Sequence, residues 1–232
     1  VTMVASRDRI LPHDDADAAD VLETVLAERG VTLEKDARVD SVIRTDDGGV
    51  LVRTTDGREI RGSHALMTVG SVPNTDDLGL GIVGIETTPS GHIKVDRVSR
   101  TSVAGVYAAG DCTDLFPLAS VAAMQGRIAM YHALGEGVSP IRLKTVATQA
   151  QVESGEVAAR VVVLPLATNP RAKMRSLRHG FVKLFCRRHS GTIIGGVIVA
   201  PTASELILPI AVAVNNSLTV SDLAGTFSVY PT

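Results

Sequence analysis

The chain is poor in several residue types that mark particular classes of protein. It has 232 residues with no Trp and only 3% aromatic residues, so aromatic platforms for stacking nucleic-acid bases are not expected. Its formal net charge of −2 gives no electrostatic attraction for nucleic acid. The two cysteines cannot form a disulfide framework and fit a reducing compartment, from which we predict a cytoplasmic protein.

Long apolar runs and metal-binding patterns are missing as well. The most apolar stretch covers residues 205–214, shorter than the roughly 20 residues that span a bilayer, so it predicts a buried helix and no transmembrane segment. The six histidines show no metal-ligand spacing, so no metal site is expected. The hydrophobic content of 45% is nevertheless enough for a sizeable core.

The first part of the chain has the pattern of a nucleotide-binding α/β domain. A buried opening strand precedes a helix over residues 13–30, which Asp14 or Asp15 can cap and Gly30 can end. Extended segments around the turn sequences DDGG and TDGR predict a small antiparallel meander. The letters HALMTVG predict a further buried strand.

The rest of the chain changes in character from Ile141 onwards. Before that residue, HIKVD and VAGVYAAG predict short strands, and a helix begins after Pro117. After it, the strands RVVVLPL, GFVKLFCRR and TIIGGVIVA precede two helices, which predicts an α+β unit. Pro209 is expected to bend the first of these helices, and Thr219 is expected to cap the second. The fold class expected is therefore α/β followed by α+β.

The strongest functional signal is the segment TSVAGVYAAGD, which ends at Gly110 and Asp111. Small residues at the end of a strand let the backbone approach a ligand, and α/β sheets bind ligands at that edge. The Asp111 carboxylate can accept a hydrogen bond from a polyol hydroxyl. The residues from Pro117 to Ser120 lead into a helix whose free N–H groups can face an electron-rich group. Taken alone, the Gly-Asp pair is equally a turn after a strand.

In combination with MTVGSVPNT upstream, this segment resembles two paired signatures of the pyridine nucleotide-disulfide oxidoreductase family, whose members bind FAD and NAD(P). The last third of the chain resembles the interface domain of that family. The resemblance implies the C-terminal part of a Rossmann-like NAD(P) domain over 1–68 and a second FAD-binding segment over 69–140. It implies an interface domain over 141–232, through which the protein forms a homodimer.

The resemblance also implies which residues bind the cofactors. Those expected at FAD are Asp111 at the ribityl chain, with Gly110, Pro117, Leu118, Ala119 and Ser120. Those expected at NAD(P) are Ser6, Arg7, Val39, Val69 and Gly70.

The nucleotide preference rests on position 5. NAD-preferring members of the family carry an acidic residue there, and this chain has Ala5. Arg7 and Arg9 are close in sequence, and arginine binds phosphate with two parallel hydrogen bonds. We therefore predict NADPH, or both NADPH and NADH, as the hydride donor. Solvated surface arginines are the alternative interpretation.

The chain departs from the family pattern in what it lacks. The glycine fingerprints and the redox cysteine pair are absent, and the sequence starts in mid-strand without Met. This predicts the C-terminal portion of a longer protein. Near Thr148 and Gln149 the sequence is shorter than the family pattern, which predicts either a deletion or a disordered loop.

The function expected depends on Tyr230. Disulfide-reducing members place a His-Pro pair here, and this chain has Tyr230 before Pro231. A phenol, with a pKa of about 10, is a poorer base than imidazole, at about 6.5. No catalytic residue is therefore assigned.

The pattern is most similar to members that pass electrons from NAD(P)H through FAD to a small-molecule acceptor of the quinone type. The alternatives are dihydrolipoamide dehydrogenase or another disulfide reductase, and a non-catalytic flavin-binding or dimerisation module. A Rossmann-type binding protein without flavin is a further alternative.

Overall fold

The computed structural model of the chain describes residues 1–141 and 147–229. The described chain has a mixed α/β fold, as expected. It forms two compact units, Val1–Leu66 together with Thr145–Thr232, and Met67–Lys144. The three functional parts expected from the sequence, with boundaries at 68 and 140, stay a prediction.

A βαβ motif opens the first unit. Strands β1 (Thr2–Val4) and β2 (Thr32–Glu34) are parallel neighbours, and helix α1 (Ala16–Glu28) connects them. The Asp15 carboxylate caps the helix by accepting a hydrogen bond from a first-turn N–H at 3.2 Å. Gly30 follows the helix with φ of 81°, a conformation that glycine adopts without steric cost. The predicted helix and its termination are confirmed.

An antiparallel meander follows the βαβ motif. It consists of β3 (Val39–Arg44), β4 (Val50–Thr54) and β5 (Glu59–Gly62), in that order across the sheet. The turns between the strands contain the DDGG and TDGR sequences, in which Gly48 and Gly57 adopt positive φ and the Asp side chains bond to nearby backbone groups. The predicted meander is confirmed.

The α+β part of the first unit is built on a second antiparallel sheet. Its strands are β6 (Ala159–Pro165), β7 (Phe181–Arg187) and β8 (Ile193–Val199), and all three were expected. Ile193 and Ala213 lie in the core between this sheet and the following helices. Phe185 is completely buried.

Short helices surround this sheet. Helix α2 (Ala119–Ala133) belongs to the second unit. The helices of the first unit after it are α3 (Gln149–Glu153), α4 (Pro170–Met174), α5 (Ala203–Leu206), α6 (Leu208–Asn216) and α7 (Val220–Gly225). Pro209 lies in the first turn of α6, where it needs no N–H partner, so the expected bend becomes a break between α5 and α6. Thr219 and Asp222 form the expected capping box at α7.

The second unit contains one long helix and little strand. Helix α2 (Ala119–Ala133) was expected, and Gly135 follows its end with φ of 77°. Val121, Ile128 and Ile141 form the buried core against which the loops of this unit pack.

Two strands that the sequence predicts in the second unit do not form. HIKVD and VAGVYAAG make only isolated bridges, among them Arg100 with Tyr107. The Thr101 hydroxyl donates to the Val106 carbonyl at 3.0 Å, and the Thr101 N–H bonds to the same oxygen. These bonds close a tight turn through Gly105, where an extended strand was expected.

The buried strand expected over residues 64–70 is also absent. Leu66 is 89% exposed and Val69 is 84% exposed. An apolar alternating segment becomes a strand only where a neighbouring strand offers hydrogen-bond partners, and none of the described strands pairs with it. Strand β1 exists as expected but is not buried, since Met3 is 40% exposed.

Candidate functional site

Helix α2 begins with a free, exposed N-terminus. Leu118 occupies the N-cap position, and no side chain among the described residues caps the helix. The residues from Pro117 to Ser120 are all exposed. The first N–H groups of a helix have no partner inside it, so this end can donate hydrogen bonds to an electron-rich group.

The Gly110–Asp111 loop lies against the early turns of the same helix. Gly110 has φ of 87°, and a Cβ there would lie 3.4 Å from the Cβ of Ala122. Glycine therefore fits both the backbone conformation and the close approach to the helix. Asp111 is exposed, and its carboxylate has no hydrogen bond or ion pair to any described residue. It is available to a ligand.

A buried glutamine fixes this loop, and the sequence analysis missed it. Gln125 is fully buried on α2, and its Oε1 accepts a hydrogen bond from the Gly110 N–H at 2.8 Å. Its Nε2 donates to the Thr113 hydroxyl at 3.2 Å, and that hydroxyl donates to the Gly110 carbonyl at 2.8 Å. Because each polar group of the network has a partner, the loop that carries Asp111 is held in one position. A single Gln among helical Ala and Met residues gave no signal of this role.

The FAD-binding residues predicted from the sequence are thus brought together within the second unit. The loop of Gly110 and Asp111 and the N-terminus of α2 lie side by side through Gln125. An exposed carboxylate, an uncapped helix end and small flanking residues fit a polyol chain that is joined to an electron-rich ring. These residues therefore fit a flavin nucleotide.

The predicted nucleotide loop is fixed along the end of β2 in the first unit. The Ala5 N–H donates to the Glu34 carbonyl at 2.9 Å, and the Arg7 carbonyl accepts from the Asp36 N–H at 3.0 Å. Arg58 supports this segment from the meander, since its guanidinium donates to the Glu34 carboxylate at 2.7 Å. Ser6 lies between the two backbone contacts and is exposed.

The arginines of this loop differ in their contacts. The exposed Arg7 side chain has no partner among the described residues. The Arg9 guanidinium donates to the Pro12 carbonyl at 3.1 Å. Val39 begins β3 and is 38% exposed. A free guanidinium on an ordered loop can bind a phosphate group.

The other predicted NAD(P) residues lie elsewhere. Val69 and Gly70 belong to the second unit, so the structure does not bring them into the same unit as Ser6, Arg7 and Val39. Tyr230, which the family resemblance predicts at the position of the family's base, lies outside the described residues.

The His, Cys, Asp and Glu side chains of the described residues form no cluster able to hold a metal ion. None of the helices in residues 1–141 and 147–229 has the length and apolar character needed to cross a membrane.

A pocket of about 500 Å³ in the second unit is lined by none of the predicted site residues. Its lining is Glu86, Lys94, Val95, Asp96, Arg100, Thr101, Ser102 and Ala104.

Known proteins with similar sequences cover the whole chain. At 64% identity it matches a protein of Mycobacterium tuberculosis named NAD(P)H dehydrogenase (quinone), over 100% of this chain and 50% of that protein. It is 32% identical to dihydrolipoyl dehydrogenase of Bacillus subtilis, over 97% of this chain and 51% of the relative. The chain therefore spans about half the length of the curated relatives it matches.

Solved structures with the same fold also cover the chain completely. The crystal structure of LpdA from Mycobacterium tuberculosis matches with a TM-score of 0.93 and 62% identity, over 53% of that protein's chain. The flavoprotein disulfide reductase RclA of Escherichia coli matches with a TM-score of 0.89 over 56% of its chain. Its identity of 23% shows the fold alone.

Two family models account for most of the residues. The model described as pyridine nucleotide-disulphide oxidoreductase matches residues 1–126. The dimerisation domain of the same family matches residues 145–232. The chain belongs to the pyridine nucleotide-disulphide oxidoreductase family.

Proposed function

We propose that the full-length protein is an FAD-dependent oxidoreductase that takes hydride from NAD(P)H and reduces a quinone-type acceptor. The observation that supports this most is that the exposed Asp111 and the free N-terminus of α2 lie close together. The buried Gln125 on α2 fixes the loop of Asp111 by its hydrogen bond to the Gly110 N–H. The 64% identity to a protein named NAD(P)H dehydrogenase (quinone) supports the choice of acceptor. The members named dihydrolipoyl dehydrogenase are more distant, at 32% identity.

The residues of this chain would bind and orient the cofactor. Asp111 would accept hydrogen bonds from the ribityl hydroxyls, and the segment from Pro117 to Ser120 would present backbone N–H groups to the ring system. Bound FAD would supply the hydride and electron transfer between nucleotide and acceptor, while the protein supplies orientation and electrostatics.

NADPH is proposed as a donor because of the loop before α1. Position 5 is Ala, so no carboxylate there would repel a 2′-phosphate. Arg7 is exposed and free of described partners, so its guanidinium can bind that phosphate with two hydrogen bonds. NADH lacks the phosphate and would not use this contact. Ser6, Val39, Val69 and Gly70 complete the proposed NAD(P) residues.

A homodimer formed through residues 141–232 is part of the proposal. The match of residues 145–232 to a dimerisation domain supports it. Large apolar side chains are exposed on β6, on α5 and α6 and near the chain end, and a stable interface would cover them. They are Val162, Val163, Leu164, Leu206, Leu208, Val212 and Phe227. A cytoplasmic location is proposed because both cysteines are free thiols.

The test is made on the full-length protein. We expect the purified protein to carry FAD, seen in its absorption spectrum, and to oxidise NADPH or NADH when a soluble quinone is added. A protein that retains FAD but shows no turnover with either nucleotide would support the non-catalytic module instead. A protein without any flavin would contradict the proposed site.

A further inference from the structure

The Arg58 side chain connects the meander with the segment that follows β2. Its Nη1 donates to the Glu34 carboxylate at 2.7 Å. Its Nη2 donates to the Lys35 carbonyl at 3.3 Å and to the Asp36 carbonyl at 3.4 Å. These acceptors are 24, 23 and 22 positions away in sequence. A guanidinium can bond to all of them together because its donors form a rigid planar fork.

The other side of this guanidinium is fixed within the meander. The Nε and Nη2 atoms of Arg58 donate to Oδ2 of Asp56 at 2.9 and 2.6 Å. The hydroxyl of the buried Thr54 donates to the other oxygen of Asp56. These hydrogen bonds from Arg58 and Thr54 hold the pKa of Asp56 well below its usual value, so this carboxylate is charged at neutral pH. Each of the three guanidinium nitrogens therefore has an acceptor inside the protein.

The segment that Arg58 holds is the one to which the nucleotide loop is bonded. The Ala5 N–H donates to the Glu34 carbonyl at 2.9 Å, and the Asp36 N–H donates to the Arg7 carbonyl at 3.0 Å. Asp36 thus bonds to Arg58 through its carbonyl and to Arg7 through its N–H. One residue separates the two arginines, and both of its bonds are direct.

Asp36 has a backbone conformation that needs this support. Its φ of 52° lies in the left-handed region, which residues with a side chain adopt rarely. Such a conformation persists where the surrounding contacts fix it. Without the bond from Arg58, the Asp36 backbone would be free to relax, and its N–H would no longer be directed at the Arg7 carbonyl.

We propose that Arg58 is a positioning residue for nucleotide selection, which holds the Arg7 backbone through Asp36 so that the Arg7 guanidinium can bind the 2′-phosphate of NADPH. This inference rests on the proposed function. Arg58 itself supplies no group to the nucleotide, because its nitrogens are bonded to Glu34, Asp56 and backbone carbonyls.

Arg53 provides a matched control in the same meander. Its Nε donates to the Glu59 carboxylate at 2.9 Å, which links β4 with β5. The Arg53 side chain is 49% exposed, and that of Arg58 is 37% exposed. In the described structure no hydrogen bond joins the Arg53 or Glu59 side chain to residues 34–36. Loss of Arg53 therefore removes an arginine ion pair of the meander and leaves the nucleotide loop untouched.

The experiment compares the full-length protein with four variants, Arg58→Gln, Arg58→Lys, Arg53→Gln and Arg7→Ala. The Kd values for NADP⁺ and NAD⁺ are measured by calorimetry, because these two probes differ only in the 2′-phosphate. The KM values for NADPH and NADH, and kcat with a soluble quinone, are measured alongside. Hydrogen exchange of the amides of residues 5, 36 and 37 reports on the attachment of the loop without any nucleotide.

We expect Arg58→Gln to weaken the binding of NADP⁺ by roughly tenfold, which is about 1.4 kcal/mol, and to raise the KM for NADPH by a similar factor. The Kd for NAD⁺, the KM for NADH and kcat are expected to change little, and the three amides should exchange faster. Arg53→Gln should leave all of these values unchanged.

Arg58→Lys tests whether the planar fork is required. Lysine keeps the charge, but a single ammonium cannot bond to Glu34, Asp56 and the two carbonyls together. This variant should therefore recover only part of the affinity for NADP⁺. Complete recovery would overturn the bridging role of Arg58, and so would an equal loss of NADP⁺ and NAD⁺ binding in Arg58→Gln.

The outcomes separate this inference from the proposed function. If Arg7→Ala weakens NADP⁺ binding and Arg58→Gln does not, the positioning role is overturned and the phosphate contact stands. If Arg7→Ala leaves NADP⁺ binding unchanged, the phosphate contact itself is overturned, and this inference with it. Glu34→Gln serves if Arg58→Gln does not fold, because it weakens the same contact from the other side. It should raise the Kd for NADP⁺ by a smaller factor, and an unchanged value would overturn the inference.

Discussion

The full-length protein with Asp111→Ala is expected to lose most of its bound FAD during purification. Asp111 is exposed at the end of the loop that Gln125 fixes, and its carboxylate has no partner among the described residues. A hydrogen bond to a charged group contributes about 1.5–3 kcal/mol, so the affinity for FAD should fall by about 10- to 100-fold. The flavin-to-protein ratio after gel filtration and the Kd of the apoprotein for FAD measure this loss.

The matched control for this prediction is Asp114→Ala. Asp114 is exposed in the same loop and carries the same charge, but the family resemblance gives it no contact with FAD. Its replacement should leave the flavin content unchanged. Equal FAD affinity in Asp111→Ala and the unaltered protein would contradict the placement of the flavin site.

Gly180→Ala is expected to destabilise the α+β part severely. Gly180 has φ of 111°, and an added Cβ would lie 2.1 Å from the carbonyl oxygen of Val199 and 2.9 Å from Leu166 Cδ1. The backbone strain costs about 1–3 kcal/mol and the overpacking about the same again. At about 2–4 °C per kcal/mol, the thermal unfolding midpoint of the full-length protein should fall by roughly 5–20 °C.

Gly57→Ala separates the two causes. Gly57 lies in the turn between β4 and β5 with φ of 86°, and an added Cβ would meet no atom within 4 Å. This variant carries the backbone strain without the collision, so its midpoint should fall by only a few degrees, from about 1 kcal/mol of strain. Equal losses in Gly57→Ala and Gly180→Ala would show that the contact with Val199 carries no cost.

Local signals in the sequence were sufficient for most helices and for the hairpins. Asp15 and Thr219 cap their helices as expected, because an N-cap depends only on residues within one turn. The meander and the β7–β8 hairpin follow from turn residues and alternation over a few positions.

Strands that depend on distant partners were not predictable in this way. The segment over 64–70 has the apolar pattern of a strand, yet in the described chain no strand pairs with it. The turn at Thr101 is decided by a hydroxyl that bonds to backbone groups two and five residues away, which competes with extension.

The candidate site shows the same division. Gly110 and Asp111 could be recognised in the sequence because they are adjacent. Gly110 allows the positive φ of the turn, and Asp111 supplies a carboxylate that can bind a ligand. Gln125 and Lys183 could not be recognised, because their roles come from partners that the sequence does not place beside them. Lys183 lies between Phe181 and Phe185 on the same buried face of β7, and the charge there is explained only by the distant carboxylates of Asp15 and Asp17.

The most direct test of the proposed function is the choice of electron acceptor. NADPH and NADH oxidation by the full-length protein is measured at steady state with a soluble quinone and with lipoamide in parallel. We predict turnover with the quinone and none with lipoamide, because the family resemblance predicts Tyr230 at the position of the base that disulfide chemistry requires. Strong turnover with lipoamide, or lipoamide turnover without quinone turnover, would contradict direct transfer from the flavin to a quinone-type acceptor.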